Sequence, residues 1–266
     1  MKIKDLTQKF DYTISPKKYQ ESYDNCGLIV GNSENEITGV LTTLDIDEFV
    51  IQEAIEKKCN LIISHHPTIF KGLKTLTGNS FNEKLVISAI KNDIAIYAAH
   101  TSLDNRFHGS INEYLAKQIG LTNIEPLKLP NDINNLNGGS GAIGTIEGLD
   151  FVVDFLGKIK YKLKLVCAIK HSSIIVNRPI KKVAICTGAG FFMANEAKRH
   201  GADLFITSDL TYHNFFDERD ILLADIGHYE SEKHSSVVIH NLIKDFFPEM
   251  NVIISSVNTN PVSYVM

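Results

Sequence analysis

Three groups of residues stand out for the chemistry they can do. His65-His66 closes the apolar run Leu61-Ile62-Ile63-Ser64, His100 is followed by Asp104, and His228 is followed by Glu232. In the last two pairs an imidazole stands four residues ahead of a carboxylate. A neutral imidazole gives a nitrogen to zinc and similar ions at roughly 2.0–2.1 Å, and a carboxylate binds one cation or bridges two. Four histidines and two acids exceed what one ion needs. The pattern points to two divalent ions, zinc, iron, manganese or cobalt, in a hydrolytic or metal-handling site. Two such ions about 3.5–4 Å apart make water a nucleophile near neutral pH, so no protein nucleophile is needed.

An isolated His-His pair is more often surface polarity than a metal site. Here the weight comes from three clusters that all fall at predicted strand ends. Consecutive side chains on a strand face opposite ways, so His65 and His66 reach one site only if the strand stops there. Pro67 favours that, because it removes a backbone donor and biases His66 to an extended conformation. At a spacing of four, His228 and Glu232 share a helical face if a helix begins near Gly227, and the same holds for His100 and Asp104. Asp45 is either the acceptor behind a ligand histidine or a helix N-cap. His213, four residues after Asp209, is a proton donor, a ligand or a loop histidine. Thr187-Gly188-Ala189-Gly190 holds too short a glycine pattern for a phosphate loop and reads as a strand-to-helix turn.

The elements that must carry these residues repeat. Val40 and Val183, Glu53 and Glu196, and Leu61 and Leu204 share one spacing of 143 residues, while His100 and His228, with Asp104 and Glu232, share a second of 128. Each half reads as strand, helix, strand, which predicts βαβ units and an α/β fold of two related lobes with mainly parallel sheets. In such sheets functional residues gather where the strands end at their C-termini. The expected division is a first α/β lobe over 1–121, a smaller inserted α+β segment over 122–179, and a second α/β lobe over 180–266 that packs with the first around the metal site. Within the middle segment, strands are expected at Ile143 to Glu147, Phe151 to Phe155, Leu165 to Ile169 and Ser173 to Val176, with a loop at Asn134 to Gly141. Val238, Leu242, Ile243 and Phe246 predict an amphipathic helix over Glu232 to Phe247, with His240 on its face.

Composition narrows the classes. The chain has 266 residues, 44% hydrophobic and 22% charged, which suits a globular protein and argues against disorder. No apolar run reaches the length of a membrane span, and no signal core follows Met1, so the expected location is the cytoplasm. Cys26, Cys59, Cys167 and Cys186 lack any C-x-x-C spacing, which argues against a zinc knuckle or a disulfide framework. A net charge of −4 gives no general pull toward nucleic acid, despite the lysines at 71, 74 and 158 to 164.

Several motifs together resemble the NIF-three-like family, whose members are often labelled GTP cyclohydrolase I type 2 homologues. They are Tyr23-Asp24-Asn25-Cys26-Gly27-Leu28, Ser64-His65-His66-Pro67 with Ile69 to Lys74, Ala99 to Asp104, Thr187 to Gly190, Asp203 to His213, Gly227-His228 with Glu232, and Asn260-Pro261. The resemblance implies a binuclear centre with His65, His66, Asp104, His228 and Glu232 as ligands, Glu232 bridging, and His100 beside it. It also implies two divalent ions per subunit and a homohexamer built as a trimer of dimers. By its label it implies metal-bound hydroxide acting on a small molecule such as a guanine nucleotide, with His100 or His213 moving protons. The alternative is a non-catalytic protein that binds, delivers or presents metal. Binding of nucleic acid through a ring is the least favoured reading.

Overall fold

A computed structural model of the chain describes residues 1–129, 138–173, 178–217 and 220–265. The strands among them are β1 (Gly27–Val30), β2 (Val40–Thr43), β3 (Leu61–Ser64), β4 (Ala95–Ala98), β5 (Thr122–Glu125), β6 (Ala142–Phe151), β7 (Lys170–His171), β8 (Pro179–Ile185), β9 (Leu204–Thr207), β10 (Leu222–Asp225) and β11 (Val252–Ile254). The α-helices are α1 (Ile3–Lys9), α2 (Glu48–Glu56), α3 (Phe81–Lys91), α4 (Thr101–Asp104), α5 (Ile111–Ile119), α6 (Val152–Lys162), α7 (Ala194–Arg199), α8 (Tyr212–Asp217), α9 (His228–Glu232) and α10 (Ser235–Phe246). No helix among the described residues is long and apolar enough to cross a membrane.

The chain forms two compact units. The first comprises 1–106 with 235–261, and the second 107–234 with 262–266. The sheet of the first runs β1-β4-β3-β2-β11, parallel throughout except where β1 meets β4. The sheet of the second runs β5-β6-β8-β9-β10-β7, with β8, β9 and β10 parallel and the remaining pairs antiparallel. Each unit thus contains three parallel strands joined by helices, the α/β repeat expected from the sequence. Every residue of β2, β3, β4, β9 and β10 is buried, because helices or loops cover both faces of a parallel sheet. That is why these strands are short continuous apolar runs rather than alternating ones.

The middle segment departs from expectation in detail. Residues 122–173 supply β5, β6 and β7 to the same sheet as β8 to β10. Phe151 to Phe155 is not a strand: from Val152 it is the start of α6, whose buried Val152, Phe155, Leu156 and Ile159 fall at helical spacing. Leu165 to Ile169 has no regular strand, although Leu165 and Cys167 are buried, and pairing begins at Lys170. The strand expected at Ser173 to Val176 lies outside the described residues beyond Ser173, as does the loop at Asn134 to Gly141 up to 137. The helix expected over Glu232 to Phe247 is α10, which starts at Ser235 after Lys233-His234 separates it from α9; it buries Val238, Ile239, Leu242 and Ile243, while Phe246 is exposed.

Strand register refines the repeat. Leu61 pairs with Ala95 in the first sheet and Leu204 with Leu222 in the second, which places Ala95 and Leu222 in equivalent positions 127 apart. The histidines are 128 apart, so His228 stands one residue beyond the position of His100. His100 is the N-cap of α4, whereas Gly227 is the N-cap of α9. Gly227 has φ 88, a left-handed conformation that disfavours any side chain, and a Cβ there would also force the Glu230 carboxylate to shift.

The loop leaving His66 is tied down at its far end. Ser80 caps α3 by accepting from the Glu83 N–H at 3.3 Å. The Glu83 carboxylate in turn accepts from Thr75 Oγ1 at 2.9 Å and from the N–H groups of Thr77 and Asn79 at 3.0 Å each. The Thr75 hydroxyl and the Asn79 N–H are the main reasons its pKa falls from 4.5 to about 2. A carboxylate depressed in this way stabilises the fold above its unfolded pKa, and that contribution fades as pH drops from about 4.5 toward 2. Glu83→Gln should therefore lower the melting temperature at pH 6, with the gap to wild type closing as melts are repeated down to pH 3; a gap that stays constant over that range contradicts the assignment.

Candidate metal centre

The first unit gathers its imidazoles where β3 and β4 end. β3 stops at Ser64, and His65 and His66 sit in a bend, yet their N–H groups continue the ladder to Thr43 O at 3.1 Å and Leu44 O at 3.0 Å. Ser64 Oγ donates to His66 O at 2.7 Å and closes the turn. The strand thus ends where the sequence requires if both rings are to serve one site. Ring centroids lie 5.0 Å apart for His65 and His66, 5.1 Å for His65 and His100, and 5.4 Å for His66 and His100. Donor atoms of these three histidines all lie within 4.8 Å of one another, a spacing that can hold a metal ion. Asp104 Oδ2 approaches His65 Nε2 at 3.8 Å.

Each ring is fixed from behind. His65 Nδ1 meets Ala99 O at 3.0 Å, His66 Nδ1 meets Asp45 Oδ1 at 2.6 Å, and His100 Nδ1 meets Asp24 Oδ1 at 2.8 Å. A carbonyl or carboxylate oxygen can only accept, so in each ring Nδ1 carries the hydrogen. In the neutral ring, Nε2 then keeps its lone pair for a cation. Asp45 is therefore the acceptor behind His66, and the N-cap of α2 is Asp47, which accepts from the Val50 N–H at 2.8 Å.

The acceptors are themselves held. Asp24 also takes the Thr101 N–H at 3.0 Å, the Thr101 hydroxyl and the Cys26 thiol. Burial works to raise its pKa, but the His100 and Thr101 bonds outweigh it and keep the group well below the usual carboxylate range. Burial pushes the Cys26 thiol up to about 11, so it stays protonated and serves as a donor. Thr259 Oγ1 donates to Asp45 Oδ2 at 3.1 Å. The segment carrying Thr259 is anchored by Glu53, which accepts from Ser255 Oγ and Ser256 Oγ at 2.6 Å each.

The second unit builds its donors on α9. His228 Nε2 stands 3.0 Å from Glu232 Oε2, and His228 Nδ1 stands 2.6 Å from Asp209 Oδ2. The Glu232 hydrogen bond is the main cause that raises the His228 pKa to about 9, against the lowering effect of burial, and Asp209 adds to it. An imidazole between two carboxylates binds either a proton or a metal ion through Nε2, so the two compete there. The Thr187 to Gly190 turn frames this helix. The Gly188 N–H donates to Ser231 Oγ at 3.0 Å, and Gly188 O accepts from Ser208 Oγ at 2.6 Å. Gly188 has φ 64, and a Cβ there would overlap Glu232 Oε1, so the short glycine pattern makes room for a carboxylate.

His213 is not drawn into either group. It is exposed on α8, edge-on to Tyr212 at 5.4 Å, and Asp209 is taken by His228. Asp24 and Asp209 were not singled out from the sequence as supports for histidines. Asp24 lies in the Tyr23 to Leu28 motif, and Asp209 in the Asp203 to His213 motif just past a strand end, where its spacing of four points to His213 rather than His228.

Donor types, spacing and fixed ring orientation all suit divalent cations with nitrogen and oxygen ligands. Asp45→Asn and Asp209→Asn should each weaken metal binding about 10- to 100-fold by chelator competition, with far-UV circular dichroism unchanged. Gly188→Ala should lower metal content in the same assay by displacing Glu232, while Ala189→Gly should not; equal metal content in Gly188→Ala and wild type would contradict the geometry.

Comparison with known proteins identifies the family. The model of the family described as Duf34/NIF3 (NGG1p interacting factor 3) matches residues 1–261. A Clostridium perfringens protein named GTP cyclohydrolase 1 type 2 homolog is 34% identical over 269 residues, covering 100% of both chains. NIF3-like protein 1 of Drosophila melanogaster is 33% identical, covering 93% of this chain and 84% of its own. A crystal structure of a hypothetical Staphylococcus aureus protein superposes with TM-score 0.92 at 31% identity, covering 100% of this chain and 99% of that one. The chain belongs to the Duf34/NIF3 family.

Proposed function

We propose that the protein is a binuclear metal-dependent hydrolase acting on a nucleotide-like small molecule. His65, His66, Asp104, His228 and Glu232 would hold two divalent ions, and Glu232 would bridge them. The observation that carries this is the common tautomer of the histidines. Each proposed ligand ring, and His100 as well, has Nδ1 committed to an oxygen, which leaves Nε2 as the nitrogen for a cation. A cation can bind imidazole through either nitrogen, and holding Nδ1 in all four rings presents the same nitrogen, Nε2, in each.

A pair of divalent ions supplies Lewis acidity, which lets water attack at neutral pH without a protein nucleophile. The chain's own contribution is to orient donors and move protons. His100 would move protons, since Asp24 holds its Nδ1 from behind and leaves Nε2 as the nitrogen that takes or gives one. The second role offered to His213 has less support, given its exposure on α8. The proposal of a nucleotide-like substrate rests on the relatives' name, GTP cyclohydrolase 1 type 2 homolog, and the cytoplasm and a hexameric assembly remain parts of the same proposal.

The test is turnover by purified protein loaded separately with zinc, iron, manganese or cobalt, assayed on a nucleotide panel that includes GTP. Turnover is expected with at least one metal, lost in Glu232→Ala, and lowered about 100-fold or more in Asp24→Asn at unchanged metal content. Bound metal with no turnover across the panel would overturn the hydrolase and leave a metal-binding or metal-delivery protein.

A further inference from the structure

Beside His66 the first unit contains a cavity of about 480 Å³, within the roughly 300–1,000 Å³ typical of small-molecule sites. The first turns of α2 and α3 and the C-terminal segment 258–261 form its walls. Phe49 and Phe81, at the starts of α2 and α3, leave 63% and 56% of their surface exposed. Two large apolar rings left open at one cavity offer flat faces for stacking.

The polar groups on the wall narrow the ligand further. Thr68 is only 8% exposed, and its Oγ1 meets no hydrogen-bond partner among the described residues. A hydroxyl so buried costs stability unless something bonds to it. Asn82, Asn258 and Asn260 add amide side chains to the same wall. The ionised groups beside His66 are all acids: Asp45, Asp47 and Glu48, with no lysine or arginine. Asp45 is committed to His66 and Thr259, and Asp47 to capping α2, which leaves Glu48 on the rim. A phosphate would meet net negative charge here, whereas a neutral ring with N–H edges would find stacking faces, amides and an acceptor.

We infer that this cavity binds a neutral planar nitrogen heterocycle of nucleobase or pterin type, stacked on Phe49 and Phe81 and hydrogen-bonded to Thr68, and that any phosphate of the same ligand lies outside it. The assignment deepens the proposed hydrolase by naming which part of the substrate sits beside His66. Phe49, Phe81 and Thr68 are not among the proposed metal ligands, so the two claims fail separately.

Calorimetric titration of the metal-loaded protein with guanosine, adenosine and neopterin tests it, with metal content measured on the same samples. Saturable one-to-one binding of at least one compound is expected. Phe49→Ala and Phe81→Ala should each weaken it about tenfold, and Thr68→Val, which keeps the shape, should weaken it several-fold, all at wild-type metal content. Inorganic triphosphate should not displace the bound compound from metal-stripped protein. No binding by any of the three compounds, equal affinity in all three variants, or displacement by triphosphate would overturn the inference. Failure of the wild type to retain metal would count against the metal centre alone, because the titration can be repeated on stripped protein.

Discussion

The hydrogen bond from each histidine Nδ1 to an oxygen is the constraint on which the site depends. An imidazole has two nitrogens and, when neutral, one hydrogen, so its usefulness to a cation rests on where that hydrogen is held. Here it is held four times by oxygen: Ala99 O, Asp45, Asp24 and Asp209. Three of these acceptors are carboxylates, which also make the ring a better donor. Without them the rings would rotate and exchange tautomers, and the proximity of His65, His66 and His100 would mean little chemically.

Much of the surrounding structure positions those acceptors. The parallel ladder from β2 to β3 runs on past its last strand residue to hold the backbones of His65 and His66. Asp24 comes from the loop before β1 and is gripped by the first turn of α4. Asp45 is steadied by Thr259, whose segment is fastened by Glu53, so a residue near the C-terminus supports one near the start. In the second unit the same task falls to α9 and the Gly188 turn. The two units are related by repeat but not identical in use. The extra residue at Gly227 shifts His228 from the capping position that His100 occupies, and lets it share a helix with Glu232.

The sequence revealed the βαβ repeat because buried parallel strands are continuous apolar runs and chemistry-bearing residues follow their ends. His65, His66, His100, His228 and Glu232 stand out as candidates for the same reason. The partners of the histidines were not, because Asp24 with His100 and Asp209 with His228 are contacts between residues distant in the chain, and no local spacing encodes them. The strand expected at Phe151 to Phe155 failed because five apolar-rich residues fit either period, and only Leu156 and Ile159 further on show that the period is helical. The helix expected from Glu232 starts instead at Ser235, after Lys233-His234, where the chain passes from one compact unit to the other. The 128-residue spacing was a true likeness of residue types but not of register, which only strand pairing reveals.

Anomalous X-ray scattering from crystals of metal-loaded protein, collected across the iron, zinc and manganese absorption edges, tests the central claim most directly. Ions coordinated by Nε2 of His65, His66 and His228, with Nδ1 of each ring still bonded to its oxygen, are the predicted result. Ions bound through Nδ1, or no edge-dependent signal at these rings in protein exposed to each metal, would contradict it.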